Sequence, residues 1–382
     1  MELETEMIYG IFPYIWLIFI YIISTLTSYL SKNKLFFYLS TIIIVIFVGF
    51  KDVMTPDFER YAFTFENIEN YNYLQFEPLF LILSHILKGL GFNYYSLFFL
   101  YSSLTIFFIL LGIKNLTSHH YFAFLLFILV PGFFLNMFVE MRQLLAVAIV
   151  FYTIGLFLNK KRKYILFALL SIITHYSASF FWIIFILTYP FLKKIYSFKT
   201  YFFLLTFSFI GILILKIDVY ALNILFEFLS LTQIPIFQKY IYYVEYRLSS
   251  DISQVQFQFF KNIFYILNAL FLLYIFKFLE KKLDKKETIK LNLFILGVLI
   301  LNFTYYIAEI SRAAYYYLIF QIVIIPNIIF NIKQQEMKFV ILYVYLTLFI
   351  AQFIKGIFYF SDEVQEFLFL NYKNILIEGL IR

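Results

Sequence analysis

Acids and bases converge on five short segments of an otherwise apolar chain, and each grouping could move a proton or hold an anion. The first runs Gly49-Phe50-Lys51-Asp52-Val53-Met54-Thr55-Pro56-Asp57-Phe58-Glu59-Arg60-Tyr61. Pro56 fixes a turn and restricts the residue before it, so a helix starting there sets Asp57 and Arg60 one turn apart. The plain alternative is a solvated loop with an aspartate N-cap. The second is Glu77-Pro78-Leu79-Phe80, an acid at a helix start, which the helix dipole alone would explain. The third, Glu140-Met141-Arg142-Gln143, joins two apolar segments of spanning length. Charges at membrane depth are functional candidates by default, although an arginine near an interface can snorkel. The fourth is Thr174-His175-Tyr176-Ser177, in the middle of an apolar stretch too long for one span. A lone histidine there is otherwise a packing residue. The fifth, Glu309-Ile310-Ser311-Arg312, is worth little if it is only an exposed ion pair.

The chemistry open to these residues is proton transfer and anion binding. His175, Asp57, Glu77 and Glu140 are the candidates to accept or orient a proton. Arg142, with Arg312 and Arg247, offers planar, permanently charged forks suited to phosphate. Gln143, Arg60, Lys51 and Tyr61 stand beside them as candidate substrate contacts. With no cysteine and four histidines, thiolate chemistry is excluded and no metal-ligand spacing such as HExxH occurs. Nucleophile elbows and glycine-rich phosphate loops are absent as well. No cofactor and no metal is expected.

The elements that must position these groups are membrane helices. The chain of 382 residues is 63% hydrophobic and 14% charged, far from the half apolar and quarter charged of soluble domains. Its net charge of +7 sits in short loops between apolar runs, which is a topology signal and not a nucleic-acid footprint. The acidic start, Met1-Glu2-Leu3-Glu4, does not read as a cleaved signal peptide. Runs of about 20 apolar residues place spans at 7–30, 35–50, 95–113, 121–139, 143–158, 201–216, 257–279, 291–308, 313–331 and 339–356. Two segments resist that count: 78–92 is short, and 164–190 is long with His175 at its middle.

Lysine density places the loops at 159–163, 193–199 and 277–290, with Lys32 and Lys34, in the cytoplasm. All four agree only if 78–92 stays on the outer side and 164–190 turns at His175, as broken helices do where they line an enclosed cavity. The outer face then receives loops 51–77 and 217–256 and five of six arginines: Arg60, Arg142, Arg247, Arg312 and Arg382, with Arg162 inside. The expected fold is an all-α polytopic membrane protein. It is a single multispanning domain over 1–382, with about 10–12 transmembrane segments and one or two broken or re-entrant helices.

These segments together resemble the EpsG-like family of Wzy-type O-antigen and exopolysaccharide polymerases. The resemblance rests on Gly49-Phe50-Lys51 leading to Thr55-Pro56-Asp57-Phe58-Glu59-Arg60-Tyr61, then Glu77-Pro78-Leu79-Phe80, Arg142-Gln143-Leu144-Leu145-Ala146 and Thr174-His175-Tyr176-Ser177-Ala178. Order and spacing agree over about the first half of the chain. Lys51 stands where the family carries arginine, and Phe58 where it carries tyrosine. The resemblance implies a GT-C-like, metal-independent membrane glycosyltransferase that joins undecaprenyl-pyrophosphate-linked oligosaccharides at the outer face of a bacterial plasma membrane. Membrane lipids and a chain-length regulator are the other expected partners, and nucleic acid is not one. An O-antigen ligase would use the same donor but with a larger outer loop. A lipid-linked oligosaccharide flippase would show two similar halves.

Overall fold

The computed structural model describes residues 2–52, 56–215, 252–277, 283–305, 311–359 and 372–376. They are helical, with no strand among them; the one β-like feature is an isolated antiparallel bridge between Lys51 and Asn374. The chain divides into two compact units, Met1–Ser179 with Lys333–Arg382, and Phe180–Ile332. It is an all-α polytopic membrane protein. Large apolar side chains such as Trp16, Leu166, Phe203, Phe207 and Tyr343 point outward, which suits a lipid solvent and would not suit water.

The first unit holds α1 (Glu2–Ser31), α2 (Leu35–Gly49), α3 (Pro56–Glu66), α4 (Pro78–Gly89), α5 (Tyr94–Leu116), α6 (His120–Leu129), α7 (Pro131–Phe134), α8 (Asn136–Val139), α9 (Met141–Leu158), α10 (Tyr164–Thr174) and the start of α11 (Ala178–Leu192). The second unit contains the rest of α11, α12 (Phe198–Leu215), α13 (Ile252–Lys277), α14 (Lys285–Phe303), a 3₁₀ turn (Arg312–Ala314), α15 (Tyr315–Leu318) and α16 (Gln321–Phe330). Helix α17 (Gln335–Tyr359) returns to the first unit.

Hydropathy and helix length give different span counts. Among the described residues, six helices are long and apolar enough to cross a membrane, or seven if one bent pair counts as a span. Five shorter apolar helices, Leu35–Gly49 among them, fall short of the ~30 Å hydrocarbon core at 1.5 Å per residue. Long and shorter apolar helices together make a multi-pass chain, as expected from hydropathy. The bent pair is a departure: 121–139 reads as one continuous span, yet α6 and α7–α8 meet at 77°. Val130 is extended there and Pro131 opens α7, since proline has no N–H to continue the ladder and disfavours a helical residue before it.

Two of the expected irregularities are present. Helix α4 stops after 12 residues. Gly91 takes φ +80°, Phe92 N–H bonds Leu87 C=O at 3.0 Å and Gly91 N–H bonds Lys88 C=O at 2.9 Å, a Schellman stop that only a residue tolerant of positive φ makes cheaply. The long stretch 164–190 is broken between Thr174 and Ala178. Helix α5 packs along α9, and α10 packs on α9 and α4. At the α5–α9 seam, a Cβ on Gly112 would stand 2.3 Å from the Phe151 ring, the close approach that small residues allow between membrane helices.

In the second unit, buried amides join helices. Asn262 donates to Asn302 Oδ1 at 3.1 Å, Asn302 to Ser208 Oγ at 2.8 Å, and Asn268 to Gln321 Oε1 at 3.1 Å. Such bonds hold membrane helices together where lipid offers no hydrophobic drive.

Candidate functional site

Glu77 is the residue before Pro78 and takes the extended backbone that position demands, φ −66° and ψ 149°. It is the N-cap of α4, but its side chain caps nothing. Its Oε2 instead accepts from Arg142 Nη1, while its Oε1 lies 3.7 Å from His175 Nε2. Both members of the Glu77–Arg142 pair are buried, at 8% and 14% side-chain exposure. A helix-dipole role for the acid does not account for this placement.

Arg142 lies in the first turn of α9, where the helix dipole disfavours a cation. The surroundings compensate. Its Nε donates to Tyr61 Oη at 3.3 Å, and its guanidinium carbon sits 5.1, 4.9 and 5.5 Å from the ring centroids of Tyr61, Phe76 and Phe80. Cation–π contacts strengthen when desolvated. Among the described residues the guanidinium's hydrogen bonds run through Nε and Nη1, and Nη2 makes none.

His175 closes α10 as its C-cap, its N–H bonded to Ser171 C=O at 3.1 Å. Ser177 N–H donates to Nδ1 at 3.3 Å, with Ser177 Oγ 2.7 Å from the same nitrogen. With Nδ1 accepting, the neutral ring carries its proton on Nε2, the nitrogen that faces Glu77. The helix break thus orients the imidazole. Tyr176 ties the same break to the loop before α4 by donating to Tyr73 C=O at 2.9 Å.

Helix α3 buries Phe58, Tyr61 and Phe65 and exposes Glu59 and Arg60. Phe58 stacks on Phe98 of α5 at 4.4 Å, which fixes the helix and with it Tyr61. Asp57, in the first turn of α3, is half-buried and within electrostatic reach of Lys51 and Tyr61. Burial pushes the Tyr61 phenol up, against the opposing pull of Arg142. Arg60 lies 5.6 Å from the Phe76 ring.

Lys51 turns into the scaffold. It is buried, its ammonium donates to the carbonyls of Met137, at 3.4 Å, and Phe138, and it lies over the Phe98 and Phe138 rings. Burial brings its pKa down to about 7, with Asp57 pulling the other way. The corner is clamped by the tail: Asp52 N–H bonds Lys373 C=O at 3.0 Å and Ile375 N–H bonds Phe50 C=O at 3.1 Å.

Glu140 is the N-cap of α9 and is buried, as is Gln143 one residue past Arg142. Arg312 opens the 3₁₀ turn of the second unit. Arg247 and Glu309 lie outside the described residues, as does most of the loop 217–256. Among the described residues no group of three or more His, Asp or Glu is placed to hold a metal ion.

Two neighbours of the cluster carry no mark in the sequence. Phe76 walls the Arg142 guanidinium, and Tyr101 is fully buried beside Phe80. In a chain with 55 Phe and 34 Tyr, nothing local singles the aromatic pair out.

Residues 34–374 match the sequence profile of the EpsG family. The chain belongs to the EpsG family. No curated protein and no solved structure matches it. The match extends the first-half resemblance through the second unit and into the 372–376 segment. In this EpsG-family chain, both sides of the Lys51–Asn374 bridge fall within the matched region, as do Tyr61, Glu77, Arg142 and His175.

Proposed function

We propose that the chain is a metal-independent membrane glycosyltransferase that polymerises undecaprenyl-pyrophosphate-linked repeat units of an O-antigen or exopolysaccharide. The observation that carries the reading is the meeting of Arg142, Glu77, His175 and Tyr61, drawn from three of the motifs and the helix break, at one buried spot. Membership of the EpsG family supports it. The active face is read as the outer side of the bacterial plasma membrane, on the lysine distribution.

The reaction moves a glycan from a lipid pyrophosphate to a sugar hydroxyl. The acceptor oxygen attacks the anomeric carbon, the bond from that carbon to the pyrophosphate oxygen breaks, and its electron pair leaves with the phosphate. Negative charge develops where water is scarce, and a preorganised cation lowers its energy. Arg142 is that cation. Glu77 and the aromatic cage hold the guanidinium in place, and Nη2 is the edge available to a phosphate oxygen. The acceptor proton passes to a carboxylate within reach. Glu77 is engaged by Arg142, whereas Asp57 has no hydrogen-bond or ion-pair partner among the described residues, so Asp57 takes this role. His175 orients Glu77 through Nε2. The lipid carrier and membrane lipids are the partners this chemistry requires, and a chain-length regulator would act on the product.

A strain lacking the gene tests the reading through its glycan ladder. Acceptor carrying a single repeat supports polymerase. Acceptor carrying none, with polymer still on the lipid carrier, would assign the chain as a ligase.

A further inference from the structure

The geometry points to Tyr101 as a second donor of this site, its phenol hydrogen-bonding the same phosphate oxygens that Arg142 engages. The inference rests on the reading that a pyrophosphate occupies the Arg142 site. Tyr101 lies on α5, with 0% relative exposure, and among the described residues its hydroxyl has no hydrogen-bond partner. Buried polar groups are almost always partnered, and at membrane depth no solvent makes good the loss. Other buried tyrosines conform: Tyr21 donates to Tyr121 C=O at 2.8 Å, Tyr201 to Asn292 at 2.6 Å and Tyr317 to Phe181 C=O at 3.0 Å.

Position distinguishes Tyr101 from a buried tyrosine such as Tyr14, which sits among the rings of Phe47, Phe138 and Phe353. The Tyr101 ring lies 6.3 Å from that of Phe80, one wall of the Arg142 cage. Its hydroxyl is within electrostatic reach of Arg142, Glu77 and Tyr61. The open hydrogens there, on Arg142 Nη2 and Tyr101 Oη, are both donors, while the Glu77 carboxylate accepts from Arg142 through Oε2 and turns Oε1 toward His175. A site that presents two donors suits an oxygen with several lone pairs and negative charge. A phosphate oxygen is that acceptor.

Tyr101→Phe separates a ligand contact from a structural one, because the hydroxyl bonds nothing among the described residues. The full chain, purified in detergent, is titrated with farnesyl pyrophosphate as a short polyprenyl pyrophosphate probe, and with farnesol as the phosphate-free control. The expected result for Tyr101→Phe is an unchanged or raised thermal midpoint and a roughly tenfold weaker affinity for farnesyl pyrophosphate, the scale of one hydrogen bond to a charged group. Farnesol binding stays unchanged. If Tyr101→Phe binds the pyrophosphate as tightly as the natural chain while Arg142→Ala does not bind it, the inference about Tyr101 is wrong and the Arg142 site stands. If the natural chain binds farnesyl pyrophosphate no better than farnesol, the pyrophosphate reading fails and this inference with it. A lowered midpoint in Tyr101→Phe would also overturn it, by showing that the hydroxyl supports the fold.

Discussion

Glu77 and Arg142 lie 65 residues apart in the chain and meet as a buried ion pair that joins the N-termini of two helices, α4 and α9. The acid is well placed at its helix end and the base is not, so each side chain stabilises the other's position. Removing one partner of such a pair strands a buried charge, which costs about 3–5 kcal/mol, while removing both costs far less.

Glu77→Ala is therefore expected to lower membrane abundance and the thermal midpoint in detergent. The double variant Glu77→Ala with Arg142→Ala should regain much of the abundance and none of the polymer. Immunoblots of membranes beside glycan ladders measure both. A double variant as scarce as the single one would contradict the pairing energy.

Arg142→Lys keeps the charge but loses the planar fork, the bond to Tyr61 and the stacking on Phe76 and Phe80. Losing one or two bonds to a charged group, at about 1.5–3 kcal/mol each, predicts a fall in polymer yield of about tenfold or more at normal abundance. Full polymer length in this strain would reduce the site to simple charge.

His175→Gln and His175→Ala divide orientation from folding. Loss of the Ser177 and Glu77 contacts in the alanine variant predicts little polymer at near-normal abundance, because the α10 C-cap bond uses the main chain. If abundance falls in step with polymer in both variants, the imidazole acts as a structural plug. Normal polymer in both would remove His175 from the mechanism.

Lys51 makes stability depend on pH. Its folded pKa of about 7 lies below the ordinary 10.5, so between those values the folded chain binds fewer protons than the unfolded one. Stability contributed at this residue therefore rises with pH across that window and is lowest below about pH 7. The thermal midpoint of Lys51→Met should lose this slope relative to the natural protein. Parallel pH profiles for the two would show that the ammonium is not the titrating group.

Much of the framework is legible in the sequence because the lipid solvent imposes it. Apolar runs marked most of the helices, the early stop of α4 follows from Gly91, and the break at His175 follows from four polar residues in an over-long apolar stretch. The break at Pro131 was not, since 121–139 is apolar on both sides of the proline and prolines occur in unbroken membrane helices such as α1, with Pro13 inside. The motifs located Tyr61, Glu77, Arg142 and His175 but not their grouping, which depends on how α3, α4, α9 and α10 pack. The inward partners of Lys51, two main-chain carbonyls in α8, leave no mark in side-chain patterns. Tyr372 stacks on Phe47 at 4.1 Å, and no local signal in the tail announces that contact with α2.

Reconstitution in liposomes with purified undecaprenyl-pyrophosphate-linked repeat units tests the central claim most directly. The account predicts a ladder of products growing by single repeats, one undecaprenyl pyrophosphate released per linkage formed, and neither with Arg142→Ala. Repeat units that cross the bilayer without lengthening, or that are transferred only to a different acceptor, would contradict it.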